Sequence, residues 1–272
     1  MMETSRLLPR LAMSPGQVEG GSRCLPEEVA IALTFNGSTQ AVMMATPADL
    51  EDFAAGFALT EGFAQVEEID SITPVEVARG IDLQIWLRPA AEARLAARRR
   101  RMAGPVGCGL CGIDSLDEAL RDPPPVPDNA LRLTVAQAAE AVSALTQHQP
   151  LHDATRAVHA AGFWMPGLGM VAAREDVGRH NALDKLAGAL VRRDTATAAG
   201  AVVLTSRVSI DLVQKCARLG SSMLIAVSAP TAHAVRMAEA AGITLVALAR
   251  GGRCEVFSHP HRIHSDEAAH VA

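Results

Sequence analysis

The apolar positions of the chain change period several times, and each change predicts an element. Residues 27–45, EEVAIALTFNGSTQAVMMA, place Asn36-Gly37 between two runs rich in Val, Ile, Ala, Met and Phe. Asn-Gly suits the two positive-φ positions of a tight hairpin turn, so an antiparallel pair is expected. In ADLEDFAAGFALTEGF, Leu50, Phe53, Ala54, Phe57 and Ala58 recur at helical spacing, and TPVEVARGIDLQIWLRP returns to strand character. Further on, LTVAQAAEAVSALTQ predicts a capped amphipathic helix and AGFWMPGLGMVAARED a strand pair turning at Pro166-Gly167. VGRHNALDKLAGALVRR predicts a helix with Leu183, Leu186, Ala187 and Leu190 on one face.

The rhythm then becomes strand, helix, strand, helix, strand through AVVLT, SIDLVQKCARLG, SMLIAVS, TAHAVRMAEAAG and ITLVALAR. Short apolar strands joined by helices imply right-handed crossovers and parallel pairing. The fold class expected is α/β: a mixed or parallel sheet with packed helices in a C-terminal domain, plus a smaller α+β N-terminal domain. The proline-rich DPPPVPDN, residues 122–129, reads as the linker between them. The organisation expected is a flexible tail over 1–23, an N-terminal domain over 24–121 ending in a C-x-x-C loop, a C-terminal domain over 130–262, and a tail over 263–272.

Composition narrows the class. Hydrophobic residues make up 49% of the chain but aromatics only 3%, so the core is aliphatic. A formal charge of -5 argues against general nucleic-acid binding. The N-terminus lacks the apolar stretch of a signal peptide and no run reaches the roughly 18 apolar residues of a membrane helix, so a cytoplasmic protein without a membrane segment is expected. The five cysteines do not read as a secreted disulfide framework, and Cys216, inside a helical pattern, reads as a buried small hydrophobe. The basic run ARLAARRRRMAG reads either as a solvated helix face or mobile segment, or as a docking surface for an acidic partner or a phosphate.

Ligands of open parallel sheets settle beyond the carboxyl ends of the strands. Here those ends carry Ser206 and Arg207, then Ser228, then Arg250, Gly251, Gly252 and Arg253. Capping hydroxyls, a permissive double glycine and arginine forks suit a phosphate-bearing ligand. The stretch Arg174 to Asn181 is dense in polar groups, and His180/Asp184 and Asn181/Lys185 stand at i and i+4, which reads as a ligand or partner site or as a salt-bridged cap. GLGMVA, residues 167–172, matches a dinucleotide fingerprint but opens no helical pattern.

Cys108 and Cys111 sit in GPVGCGLCG. Three readings are open. A zinc site would need further ligands, which Cys254, His259, His261 and His264 would have to supply. A redox pair should open a helix after a strand. A glycine-flanked, exposed thiol near arginines favours the thiolate and suits a group carried between proteins. Zinc deaminase chemistry is excluded by the absence of any H-x-E or C-x-E.

The blocks GCGLCG with Ser115-Leu116, REDVGRHNALDK, SRVSIDLVQK, SAPTAHAV and GITLVALARG resemble those of the FdhD family, the formate dehydrogenase accessory sulfurtransferases. So do Asn36-Gly37, Met44-Ala45-Thr46-Pro47 and Gly56-Phe57 through Glu61-Gly62, and the likeness spans about residues 25–260 in order. The resemblance implies a sulfur carrier: a cysteine desulfurase loads a persulfide on Cys108, Cys111 assists, and sulfur passes to the molybdenum cofactor destined for formate dehydrogenase. It also implies that bis(molybdopterin guanine dinucleotide) binds along Leu248, Ala249, Arg250, Gly251, Gly252 and Arg253, with a cytidine deaminase-like fold and a homodimer. The alternative is a non-catalytic chaperone of the same cofactor. Where the family usually carries Thr-Gly-Gly-x-His, this chain has Gln149-Pro150-Leu151-His152.

Overall fold

The computed structural model describes residues 2–99 and 123–265. Its N-terminal lobe is a four-stranded sheet ordered β4-β3-β6-β5, made of β3 (Val29–Phe35), β4 (Ser38–Ala45), β5 (Ile69–Val77) and β6 (Gly80–Leu87). The expected hairpin closes at Asn36 and Gly37, whose φ angles of 46° and 75° are the left-handed pair that such a turn requires. Helices α1 (Leu50–Thr60) and α2 (Pro89–Arg99) cover one face, where Ile31, Leu33, Leu83, Ile85, Phe53 and Leu95 form the core. The few aromatics gather here: Phe35 and Phe57 each meet the Phe63 ring edge-on, at 5.3 and 5.7 Å.

The first 23 residues are not a loose tail. They form most of a hairpin of β1 (Ser5–Ser14) and β2 (Gln17–Pro26), in a two-stranded sheet of their own. Alternation puts Leu7, Leu11 and Met13 on one face opposite Cys24, Gly20 and Val18. Gly16, at φ 79°, makes the turn.

The C-terminal lobe has a six-stranded sheet ordered β13-β12-β11-β10-β8-β9. Its strands are β8 (His159–Met165), β9 (Gly169–Asp176), β10 (Ala201–Leu204), β11 (Met223–Ala226), β12 (Thr244–Arg250) and β13 (Arg253–Val256). The parallel part is β10, β11 and β12; β8 and β13 join it antiparallel, so the sheet is mixed. The glycine fingerprint match covers the end of the turn from β8 to β9 and the start of β9, and opens no helix.

Helix α3 (Val135–Thr146) packs on one face of this sheet. Its N-terminus carries a reciprocal cap, Thr134 Oγ1 accepting from Gln137 N at 3.1 Å and Gln137 Oε1 from Thr134 N at 2.9 Å. A short helix, α4 (Pro150–Thr155), follows. Helices α5 (Arg179–Val191), α6 (Ile210–Leu219) and α7 (Ala232–Ala241) cover the other face. The proline-rich segment is fastened to this lobe: Val126 N donates to Ala241 O at 2.9 Å, and Asp128 accepts from Arg262 at 2.8 Å. Near the C-terminus β14 (Ile263–His264) pairs with β7 (Leu133–Thr134) rather than trailing away.

The lobes meet where α1 crosses α5. A Cβ on Gly56 would lie 1.7 Å from the Asp184 carbonyl oxygen, and one on Gly188 would lie 1.8 Å from that of Asp52. Only glycine permits this backbone contact. Helix α5, sandwiched between the sheet and α1, is buried from Asn181 to Leu190, including its polar residues. No helix among the described residues is long and apolar enough to cross a membrane.

Candidate functional site

The loops beyond β10, β11 and β12 lie side by side. Val227 N donates to Leu204 O at 3.0 Å, Val208 N to Ala229 O at 3.2 Å, and Thr231 N to Val208 O at 2.9 Å. Leu248 N reaches Ser228 O at 3.3 Å. These bonds gather the expected ligand residues along one edge of the sheet. Ser206 is buried at the end of β10 with its hydroxyl donating to Arg207 O, while the Arg207 side chain is exposed. Thr231 Oγ1 caps α7 by accepting from Ala234 N at 3.1 Å.

At the end of β12 the register shifts between Ala247 and Arg250, and Leu248 adopts φ 52°, a left-handed conformation that costs a non-glycine residue roughly 1–2 kcal/mol. Gly251 and Gly252 continue with φ 59° and 74°. Beside this turn is a cleft of about 340 Å³ lined by Leu248, Arg250, Arg253, Cys254 and Glu255. Ala249 points into the core instead. Among the described residues no carboxylate pairs with Arg207, Arg250 or Arg253. An exposed turn with two free guanidinium groups and a permissive backbone fits an anionic group.

The stretch Arg174 to Lys185 divides into two fates. Asp176, fully buried, accepts from Lys185 Nζ at 2.6 Å, Gly178 N at 2.7 Å, Thr46 N at 3.0 Å and Asn181 Nδ2 at 3.0 Å. Lys185 Nζ also donates to Thr46 O, and Asn181 Nδ2 to Met44 O. Asp184 receives Lys215 Nζ at 2.9 Å and Thr60 Oγ1 at 2.6 Å, and Lys215 bonds Glu61 at 2.7 Å. Burial pushes the Asp184 carboxyl up, against the pull of the Lys215 ammonium. Arg174 holds Asp52 at 2.7 Å.

Arg174, Asp176, Asn181, Asp184 and Lys185 therefore join the lobes rather than face a ligand. The expected i, i+4 partners do not bond each other: His180 turns to Asp211, at 3.5 Å, while Asn181 and Lys185 both serve Asp176.

Arg179 and His180 face the strand edge. His159 opens β8 opposite Asp176, and its imidazole is pushed below the usual value by burial and by the charges of Arg179, His152 and His180. His152 lies close by on α4, its Nδ1 3.3 Å from Val158 O. Arg179 Nε and His180 Nε2 are buried without a hydrogen-bond partner among the described residues. Glu175 is occupied, accepting from Leu151 N at 2.8 Å and His152 N at 2.7 Å. His159 and Asp211 carried no local sequence signal; strand pairing and helix packing bring them here.

Cys108 and Cys111 lie outside the described residues, as does most of the basic run. Cys216 is buried, and its thiol is pushed up to about 12 by that burial. Cys254 lines the cleft, its thiol also raised by burial. Among the described residues no three His, Cys, Asp or Glu side chains gather as a metal-ion cage, so Cys254, His259, His261 and His264 do not converge.

The sequence model of the FdhD/NarQ family matches residues 26–264. The chain belongs to that family. A relative from Agrobacterium fabrum, named sulfur carrier protein FdhD, is 51% identical over 259 residues, 95% of this chain and 96% of its own. One of the same name from Bordetella bronchiseptica is 47% identical, with 91% and 90% covered. The crystal structure of a formate dehydrogenase accessory protein from Desulfotalea psychrophila superposes with a TM-score of 0.75 at 27% identity, covering 96% of this chain and all of that one. The FdhD/NarQ match thus takes in both lobes, the strand edge and the Cys108-Cys111 pair.

Proposed function

We propose that this chain is a sulfur carrier in the maturation of a formate dehydrogenase. In this reading the Cys108 thiolate attacks the terminal sulfur of a cysteine desulfurase persulfide. An S–S bond forms on Cys108, the desulfurase thiolate departs, and no oxidant is consumed. Cys111 assists in passing that sulfur to the cargo, the molybdenum cofactor in its bis(molybdopterin guanine dinucleotide) form.

The cargo rests on the strand edge. Arg250 and Arg253 grip phosphate oxygens, Gly251 and Gly252 allow the backbone to come close, and Leu248, Ser206, Arg207 and Ser228 complete the cradle. The chain acts in the cytoplasm as a homodimer, without nucleic acid or membrane. The observation that carries this reading is the 51% identity to a sulfur carrier over 95% of the chain. The arginines of the edge, without an ion-pair partner among the described residues, support the cargo's place.

Intact-protein mass spectrometry after incubation with cysteine and a cysteine desulfurase tests it. The expected result is a gain of one sulfur that disappears in Cys108→Ala. No gain in any form, with the cargo still bound, would replace the carrier by the chaperone that shelters the cofactor.

A further inference from the structure

Two sheet faces in the N-terminal half of the chain stay uncovered. One belongs to the arm formed by β1 and β2. Leu7, Leu11 and Met13 point to the same side as Val18, and the four are between 64 and 72% exposed. A two-stranded ribbon standing alone is marginal in water, so an arm of 10 residues per strand needs a surface that covers one side.

The other is the outer face of the four-stranded sheet. Ile31, Leu33, Leu83 and Ile85 turn inward to α1 and α2, so their alternate neighbours turn out. Strand pairing sets Val42 opposite Ala32, Ala32 opposite Asp82, and Asp82 opposite Val75, with Met44 beside Ala30 in the next row. Val42, Met44, Val77 and Trp86 all lie on this face and are between 47 and 58% exposed. A contiguous apolar patch of this kind marks an interaction surface, as single exposed apolar residues do not. In its middle Asp82 Oδ1 is buried without a hydrogen-bond partner among the described residues, so a covering surface has a donor to supply.

The two surfaces are opposite in charge. Strands β1 and β2 carry Arg6, Arg10 and Arg23 against one acid, Glu19, while β3 to β6 carry Asp70, Glu76 and Asp82 and no Lys or Arg. Arg6 pairs with Glu27, but among the described residues Arg10 and Arg23 have no ion-pair partner. Opposite potentials favour encounter and fix orientation.

We propose that the arm of one copy lies, apolar side down, on the outer face of the four-stranded sheet of a second copy, and that the second arm returns the contact. The proposal rests on the homodimer of the preceding reading and assigns its interface. Because both surfaces belong to one chain, a twofold axis satisfies both at once. Each arm is roughly 33 Å long and about 10 Å wide. Two arms and the two faces they cover bury on the order of 1,300 Å², within the range of stable interfaces, whereas one arm on an unrelated protein would bury about half of that. Ser22, midway along the arm's apolar side, then brings a hydroxyl to the Asp82 region.

The test is sedimentation of the full-length chain at micromolar concentration. Leu11→Asp sets an acid of the arm against the acidic sheet, and Val42→Arg sets a cation under the basic arm. Both residues are exposed, so neither change disturbs the fold. Each should raise the dimer dissociation constant at least tenfold. Leu168→Asp, on the exposed turn between β8 and β9, should leave it unchanged. Mixing the Leu11→Asp and Val42→Arg chains should recover dimers, since the intact arm of one meets the intact sheet of the other and the altered contact pairs Asp with Arg.

A dimer unchanged in either variant overturns the proposal and leaves the homodimer to another surface. Weakening in both without recovery on mixing also overturns it, because the arm and the sheet then do not meet each other. An unaltered chain that stays monomeric removes the homodimer and this interface together. Sulfur loading of Cys108, read by mass spectrometry, is decided separately from all three.

Discussion

The seam between the lobes and the edge of the large sheet draw on one polar stretch, yet treat charge in opposite ways. In the seam Lys185 and Lys215 are buried and each has at least two oxygen partners. They also stand over the Phe53 and Phe57 rings, at 5.7 and 5.6 Å. On the edge, Arg207, Arg250 and Arg253 have no ion-pair partner among the described residues, and Arg179 leaves its Nε unsatisfied. A fully partnered buried ion specifies how two surfaces dock. A cation left unpartnered is disposed toward something outside the chain.

Breaking the seam should have the largest effect. Lys185→Met leaves the Asp176 carboxylate buried without its cation and should cost about 3–5 kcal/mol in denaturant unfolding. Adding Asp176→Leu should return a substantial part. A Lys185→Met loss under about 1 kcal/mol would mean that the pair does not hold the lobes together. Next comes Gly188→Ala: its Cβ would lie 1.8 Å from Asp52 O, so α1 and α5 must separate. A destabilisation of about 1–3 kcal/mol is expected, typical of overpacking. An unaffected midpoint would contradict the close crossing.

Periodicity made much of the fold legible. The Asn36-Gly37 hairpin, α1 and the alternating β10 to β12 region all follow from local patterns, because each element buries one regular face. The N-terminal hairpin was not legible: both its faces are largely exposed, so Leu7, Leu11 and Met13 alternate without a core to justify them, and Gly20-Gly21 weakens the pattern. The seam was hidden for a different reason. Arg174 pairs with a residue 122 positions away, and Lys215 with one 155 positions away. The density of Arg174 to Asn181 was visible, but its division was not. At 3.6 residues per turn, neighbours such as His180 and Asn181 point about 100° apart, one to the edge and one to the seam.

A smaller effect follows from His159. Its folded-state affinity for protons is lowered, first by burial and then by Arg179, His152 and His180. The unfolded chain therefore binds more protons once pH falls below about 6.5, so this contribution to stability is present above that pH and is lost as pH drops towards the folded value. The stability difference between the protein and His159→Gln should be constant above about pH 6.5 and should shift against the unaltered protein in more acid solution. Parallel curves throughout would remove His159 from the cationic cluster.

The smallest effect is the most discriminating. Arg179→Gln should change unfolding stability by no more than about 0.5 kcal/mol, since among the described residues Arg179 makes no ion pair and its Nε no hydrogen bond that the change would break. The like charges around it even favour a slight gain, because removing the guanidinium relieves His159 and His180. A loss approaching that of Lys185→Met would mean that Arg179 belongs with the seam and is structural. A near-zero change would set Arg179 apart from the seam and leave its cation disposed toward something outside the chain.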